Sequence, residues 1–594
     1  MITERNPNKY AGVPIIGGKG YGKAVVIDAQ TDIFHIQNID REDVEKECSR
    51  FSSAREETKK YYSEYSSKIA ARDNSDVEHS IVEMYKVLAD DPSLIVKVID
   101  CIALKLVSAE SAVRIVAQTE IDKFQKDENE FFRDRGKDIE EVRDKILHFL
   151  SGESAKSKAF EGSVVLVVKR SLLLSDIISN NTEQIKAIVC ESSGKTSHAV
   201  IVARSNSIPI ISDVDFTKLQ IETGIDVLVD CDNEMFIVSP SQEQLSKYNE
   251  YISDVQIQKH EMPEYIKFPV YTRDGKPVLV TSNISLESDA KLAVENGADG
   301  IGLVRTEVLF IQSSKFPSEE KQMRYYSRIF DSVGERRKVC IRVMDIGGDK
   351  MAKFLTIPEE KNPFMGYRAV RIYREKRELL ETQLRAIMKA GQNRKYGIMF
   401  PMITTLSEWE YLRNITCEVA ENLGVECPEL GILFEVPLAI LGINLFLDSI
   451  DFASIGTNDL IQYLSAADRG NAKVNYLYNP IEAAFLRIIK NAIDECISKG
   501  KPVSMCGDMA ARPEYTILLL GLGLTRFSVA PPMVPIIKEI IASVSFIELK
   551  EEVGHMLSNM RNTEAIADWI DNMNEKYCRE IFNRYHFVPK TREV

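Results

Sequence analysis

The spacing of apolar residues changes character three times along the chain. The first 30 or so residues alternate in short runs broken by glycine (GVPIIGGKGYGKAVVID). They predict strands, with Gly17, Gly18, Gly20 and Gly22 as a glycine-rich turn and a strand from Lys23 to Asp28. A dinucleotide loop would need a helix directly after the glycines, and here a strand follows. From Asp40 to Leu150 apolar residues recur at three and four spacings, as in IVEMYKVLADDPSLIVKVIDCIALKL and RDKILHFL. This period predicts a bundle of about four helices, with a break at Pro92 and Ser93. From Ser163 alternation returns in VVLVV, IKAIVC, IPIIS and DVLVD, with a helix after Ser197. An α/β unit interrupted by a helical insertion accounts for that return.

Residues 241–264 are polar and helical and read as a linker. Beyond them, eight apolar runs alternate with helical patterns: 278–284, 300–305, 339–346, 397–403, 431–436, 452–457, 502–507 and 527–530. Eight such runs predict a (β/α)8 barrel rather than an open sheet. The expected organisation is therefore multidomain α/β: residues 1–35 and 149–240 as one α/β domain, 36–148 as an inserted helical bundle, the linker, a barrel over 265–577, and a tail over 578–594.

At 594 residues the chain exceeds what one core supports. Its 28% charged and 44% hydrophobic residues are those of a soluble globular protein. A net charge of −14 disfavours nucleic acid, which needs a basic stripe, and suits a basic protein partner. Ten scattered cysteines without a CxxC pair argue for reduced thiols rather than a disulfide framework or zinc site. The N-terminus has no signal-peptide core, and no run of roughly 18 uncharged apolar residues would span a membrane. A cytoplasmic location is expected.

In a barrel, chemistry collects at the C-terminal strand ends. Those ends carry Asn283, Arg305, Arg342 with Asp345, Met402, Glu435, Asn458, Asp459 and Cys506, and Arg469 follows one loop later. Taken singly, an arginine at a strand end is usually a surface ion-pair partner and a cysteine a small core residue. Together, three arginines beside carboxylates suit a small polyanion held with a divalent metal. Guanidinium forks match phosphate and carboxylate, and Mg²⁺ takes carboxylate oxygens while keeping positions for substrate. A second focus is SGKTSHAVIVARS, residues 193–205. Here His198 begins an apolar helix whose free N–H groups favour an anion, and Arg204 lies one to two turns on. An imidazole so placed can act as a nucleophile.

The run GKTSHAVIVARS resembles the phosphohistidine motif GGxTSHxAIxAR of the phosphoenolpyruvate-using enzymes. The runs GLVRTEVLF, RVMDIGGDK, NPFMGYRAVR, FEVP, SIGTNDLIQYLSAADRGN and SMCGDMA resemble that superfamily's barrel signatures. Their order, spacing and total length are most similar to the enzyme I family of the bacterial sugar phosphotransferase system, over nearly all of the chain.

That resemblance implies a swivelling phosphohistidine α/β domain with the helical bundle inserted, followed by the phosphoenolpyruvate-binding barrel. It implies that Arg305, Arg342 and Arg469 bind phosphoenolpyruvate with Asn458 and Asp459, and that Glu435 and Asp459 hold Mg²⁺. Cys506 would protonate the departing pyruvate enolate. His198 would carry the phosphoryl group, supported by Thr196 and Arg204, to the histidine-containing phosphocarrier protein. The insertion would dock that carrier on helices near Glu83, Asp90 and Asp91, and the barrel would mediate homodimerisation. The chain departs from the family pattern at Ser193, for a glycine, at Leu173 and Leu174, for Thr-Pro, and at Asp508, for glutamate. Two alternatives are a dikinase or synthase of the same superfamily, for whose ATP-grasp domain the chain has no room, and a non-catalytic paralogue. The full arginine, carboxylate, cysteine and histidine set argues against the latter.

Overall fold

The computed structural model describes residues 8–27, 36–70, 76–125, 130–151, 162–178, 182, 184–193, 197–206, 208–219, 221–260, 264–311, 313, 315–347, 352, 354–355, 357, 360–468, 471, 473–585, 587, 589 and 591. They form two compact units, Met1–Val255 and Gln256–Val594.

The first unit is built on eight strands: β1 (Lys9–Ala11), β2 (Val13–Ile16), β3 (Lys19–Ile27), β4 (Val164–Ser171), β5 (Ile185–Ser192), β6 (Ile210–Ser212), β7 (Asp226–Asp230) and β8 (Met235–Val238). They pair in the order β1-β8-β7-β3-β4-β5-β6-β2. The central β3, β4, β5 and β6 run parallel, and the flanking pairs are antiparallel. Strand side chains alternate between faces, and β4 shows the consequence. Val164, Leu166 and Val168 join one core, while Val165 and Val167 join another. Both faces of this strand are covered, which is why VVLVV is apolar without interruption.

The first of those cores also takes in the insertion, whose helices are α1 (Val44–Ala70), α2 (Asp76–Ala89), α3 (Pro92–Lys105), α4 (Ala109–Gln125) and α5 (Glu130–Leu150). The described residues thus hold five helices where the sequence pattern suggested about four. The expected break at Pro92 is present, with Asp91 capping α3 by accepting from the Ser93 N–H. The additional break comes at Leu106, whose left-handed φ of 52° ends α3 before α4 begins. A leucine carries no sequence signal for such a cap. A second correction concerns the glycines. β3 starts at Lys19, so Gly20 and Gly22 lie inside the strand, not in a turn before it. A side chain at either would run into a backbone carbonyl, of Lys186 or of Ser163.

After β4 comes α6 (Leu174–Ile178); between β5 and β6 lies α7 (His198–Ser205); and α8 (Gln242–His260) follows β8. In the second unit a short antiparallel strand, β9 (Val270–Tyr271), precedes a closed parallel barrel. Its strands are β10 (Pro277–Ile284), β11 (Ile301–Val304), β12 (Val339–Arg342), β13 (Tyr396–Phe400), β14 (Glu429–Phe434), β15 (Phe452–Ile455), β16 (Val503–Met505) and β17 (Arg526–Val529). Closure comes from β10 pairing with both β11 and β17. All eight strand runs anticipated from the apolar pattern are present. Helices Phe546–Asn559, Thr563–Tyr577 and Arg579–Arg584 follow the barrel.

The expectation that all ten cysteines are reduced thiols is corrected at one place. Cys417 and Cys427 are paired, their Cα atoms 5.3 Å apart, and the other eight are free. Cys417 lies near the end of helix Leu406–Leu423 and Cys427 in the returning loop before β14, so the turn of the chain opposes two residues whose spacing matches no disulfide motif. No described helix is long and apolar enough to cross a membrane.

Candidate active site

Barrel parity decides which side chains reach the mouth. Leu303, Cys340, Met399, Leu433, Phe452 and Cys506 form a small core inside the barrel. Their neighbours Val304, Ile341, Phe400, Phe434, Ala453 and Met505 point outward into the helical layer. A period of two from the inward residues lands on Arg305 after Leu303, Arg342 after Cys340 and Glu435 after Leu433. Cys506 is itself inward, at the end of β16. Arg305, Arg342, Glu435 and Cys506 are thus brought to one mouth by the pleat.

The charges there are buried and cross-braced. Arg342 is 6% exposed, and its Nη2 donates to Glu307 Oε1 at 2.5 Å and lies 3.2 Å from Asp345 Oδ2. Asp345 Oδ1 accepts from Nη2 of the fully buried Arg368 at 3.0 Å, so one carboxylate spans two guanidiniums. Arg368 Nη1 also donates to the Tyr463 hydroxyl at 3.2 Å and stands 3.7 Å from Asp459 Oδ1. Burial works against both arginine charges, but the carboxylates beside them, Glu307 and Asp345 for Arg342, Asp345 and Asp459 for Arg368, outweigh it and raise both pKa values. The Nε atoms of Arg342 and Arg368 are buried without a hydrogen-bond acceptor among the described residues. Such donors cost free energy unless something accepts from them.

Glu435 is 2% exposed and accepts from the Met402 N–H at 2.9 Å. Met402 holds a left-handed φ of 57° to present that N–H. Burial, then the Asp459 and Asp345 carboxylates, push the Glu435 pKa up to about 8. The position opposite is Gly456, where a Cβ would come within 2.9 Å of Glu435 Oε2. Asn458 accepts from the Asp508 N–H at 2.9 Å, which ties the loops after β15 and β16 together. That bond uses the Asp508 backbone, so the shorter side chain at this position leaves it intact.

The Cys506 thiol is 3% exposed, and burial raises its pKa while the Ser454 hydroxyl, donating to Sγ at 3.4 Å, lowers it in part. Asn283 supports the same turn, with Nδ2 donating to the carbonyls of Cys506 and Ser528 at 3.0 and 2.9 Å. Arg305 is half-buried at the same rim. Arg469 lies outside the described residues.

In the first unit, His198 is the first residue of α7, as the apolar run after Ser197 predicts. Ser197 caps the helix, its Oγ accepting from the Val200 N–H at 3.4 Å. Ser193, one of the departures, has its hydroxyl 3.3 Å from that of Ser197, so the replaced glycine has become a brace for the cap. Leu173 and Leu174 are buried, and α6 begins at Leu174. Arg204 is exposed. Thr196 and the His198 side chain lie outside the described residues.

Sequence reasoning missed Arg368, Glu307, Tyr463 and Ser454 as parts of the barrel site. Arg368 lies in an irregular segment after β12, where a strand-end search does not look. Its signal was the run NPFMGYRAVR.

Three family descriptions match the chain: the N-terminal region of PEP-utilising enzymes over 11–135, their mobile domain over 160–234, and their PEP-binding domain over 259–546. Among curated relatives, phosphoenolpyruvate-protein phosphotransferases of Listeria innocua and Bacillus subtilis are each 34% identical. The first alignment covers 91% of this chain and 94% of the relative, the second 88% and 93%. The protein of that name from Staphylococcus aureus is 33% identical over 97% of this chain and 99% of its own.

Proposed function

The chain belongs to the phosphoenolpyruvate-protein phosphotransferase family, and on that premise we propose that its phosphoryl transfer runs from the barrel mouth to His198. The enzyme moves phosphate from phosphoenolpyruvate to a protein. The observation that carries the site assignment is the pair of buried arginines, Arg342 and Arg368, whose Nε–H groups await acceptors beside a carboxylate-braced mouth. A dianionic phosphate with a neighbouring carboxylate supplies acceptors of that kind.

In this reading Arg305, Arg342 and Arg469 receive the phosphate and carboxylate of phosphoenolpyruvate, with Asn458 at the rim. The Asp345 and Glu307 carboxylates fix the Arg342 guanidinium in advance, so little rearrangement of it remains when substrate arrives. The donor set also fits Mg²⁺. Glu435 and Asp459 are carboxylates close enough for one to raise the other's pKa, and a cation removes that repulsion. When bound, Mg²⁺ would offset charge on the phosphoryl and enolate oxygens. The bond from phosphorus to the enol oxygen breaks as one to a His198 ring nitrogen forms. The enolate carbon then takes the proton of the Cys506 thiol, which burial keeps in its protonated form.

The acceptor beyond His198 is the histidine-containing phosphocarrier protein, docked on the helical insertion. Supporting this, Val87 on α2 and Val96 and Leu104 on α3 are exposed, near the acidic Asp90 and Asp91. The Glu83 side chain lies outside the described residues. Homodimerisation through the barrel draws support from Leu438, Leu441 and Leu445, three large apolar side chains exposed close together in the segment after β14.

The test is protein labelling by phosphoenolpyruvate carrying radioactive phosphate. Label should appear with Mg²⁺ and be absent in His198→Ala. Label from ATP but not phosphoenolpyruvate would favour the dikinase reading and sink this one; no label from either would favour a non-catalytic paralogue.

A further inference from the structure

The helical insertion contributes one buried carboxylate that the transfer chemistry does not use. Glu141 on α5 is 1% exposed, and its Oε2 accepts from both the N–H and the hydroxyl of Ser175, at 3.0 and 3.1 Å. Ser175 lies in the first turn of α6, a segment of the α/β domain, so this contact crosses between the insertion and that domain. α6 in turn packs against α7. Leu174 and Ile177 of α6 share one core with Ala199 and Val200 of α7 and with Val142 and Ile146 of α5. The strand side of α6 is held as well. Asp176 takes both Nη atoms of Arg170, at 2.9 and 2.7 Å, and the Leu173 N–H at 2.9 Å. This is the segment in which Leu173 and Leu174 depart from the family pattern.

We propose that Glu141 is a positioning residue for phosphoryl transfer: through Ser175 it fixes α6, and through α6 it fixes the start of α7, where His198 stands. The proposal rests on His198 being the residue that carries phosphate. Two donors converging on one carboxylate oxygen form a charge-assisted clamp, strongest when Glu141 is ionised. The insertion therefore does more than offer a docking face, because it also sets the orientation of the nucleophile's helix.

The groups around Glu141 make the clamp sensitive to protons. Tyr62 on α1 donates to Oε1 at 3.4 Å, Lys145 follows one turn later on α5, and Asp176 faces it from α6. Tyr85 on α2, bonded to Asp138, and Asp144 complete the charged surroundings. Burial first, and Asp176 after it, raise the Glu141 pKa to about 7 against the bonds from Ser175 and the charge of Lys145. The clamp thus tightens as pH rises through neutrality.

The experiment compares full-length wild type, Glu141→Gln, Glu141→Ala and Ser175→Ala in labelling by phosphoenolpyruvate at pH 6 and pH 8, with melting curves and His198→Ala alongside. Glu141→Ala should lower the maximal labelling rate about tenfold, the rate equivalent of one charge-assisted hydrogen bond, with an unchanged KM for phosphoenolpyruvate. Ser175→Ala, which leaves the Ser175 N–H bond to Glu141 in place, should give a smaller loss of the same kind. The ratio of wild type to Glu141→Gln should rise from pH 6 to pH 8. Normal labelling by Ser175→Ala together with a pH-independent ratio would overturn the proposal, even if Glu141→Ala fails to fold. Label persisting in His198→Ala would instead overturn the reading on which it rests.

Discussion

The two sites hold their key groups in opposite ways. At the barrel mouth, Arg342, Arg368 and Asp345 are nearly or fully buried and brace one another from different segments, with the buried Glu435 held by the Met402 N–H. At the histidine, the described holds are fewer and indirect: the Ser197 cap, its Ser193 brace, and the α6 segment bonded to Glu141 of the insertion. A donor site that must recognise a small anion gains from rigid preorganised charge. For the proposed role of His198, in which it serves two partners in turn, strong fixed contacts would favour one state over the other.

That contrast can be broken or sharpened by experiment. The largest effect is expected at the mouth. Cys506→Ala should lower pyruvate formation about 10²–10⁴-fold with little change in KM, measured by steady-state kinetics, as removal of a general acid does. An unchanged turnover would remove the thiol from the chemistry. A second, smaller effect concerns Mg²⁺. Glu435 without a cation is mostly protonated at pH 7, its pKa being raised to about 8. Metal binding must release that proton, so the Mg²⁺ concentration for half-maximal activity should fall about tenfold between pH 7 and pH 9. A flat dependence would mean that Glu435 is not a ligand. The smallest effect is expected at the carrier helix. Ser193→Gly removes only a brace on a cap, and should lower the stability of the first unit by about 0.5 kcal/mol in chemical unfolding, with labelling nearly unchanged. A loss of labelling comparable to that of Cys506→Ala would show that the histidine segment is as tightly constrained as the mouth.

Much of this arrangement was legible in the residues. Eight apolar runs announced the barrel because strands buried on both faces must be apolar at successive positions. The shared rim of Arg305, Arg342, Glu435 and Cys506 was legible because the strand ends of that fold meet there. Arg368 and Glu307 were not, since neither lies on a strand and their roles come from partners distant in sequence. The pairing of Cys417 with Cys427 was invisible for a related reason: only the return of the chain sets them 5.3 Å apart at Cα.

By itself the sequence determined most of the elements, their order and the eight strand runs of the barrel, because periodicity is a local property of backbone geometry. It also carried the phosphohistidine run and the barrel signatures. Tertiary structure decided the rest. It made Asp345 the bridge between two arginines, pushed Glu435 and Glu141 away from ordinary carboxylate behaviour, and turned Ser193 from a departure into a brace. Burial and charge proximity are sums over neighbours that only the closed fold brings together.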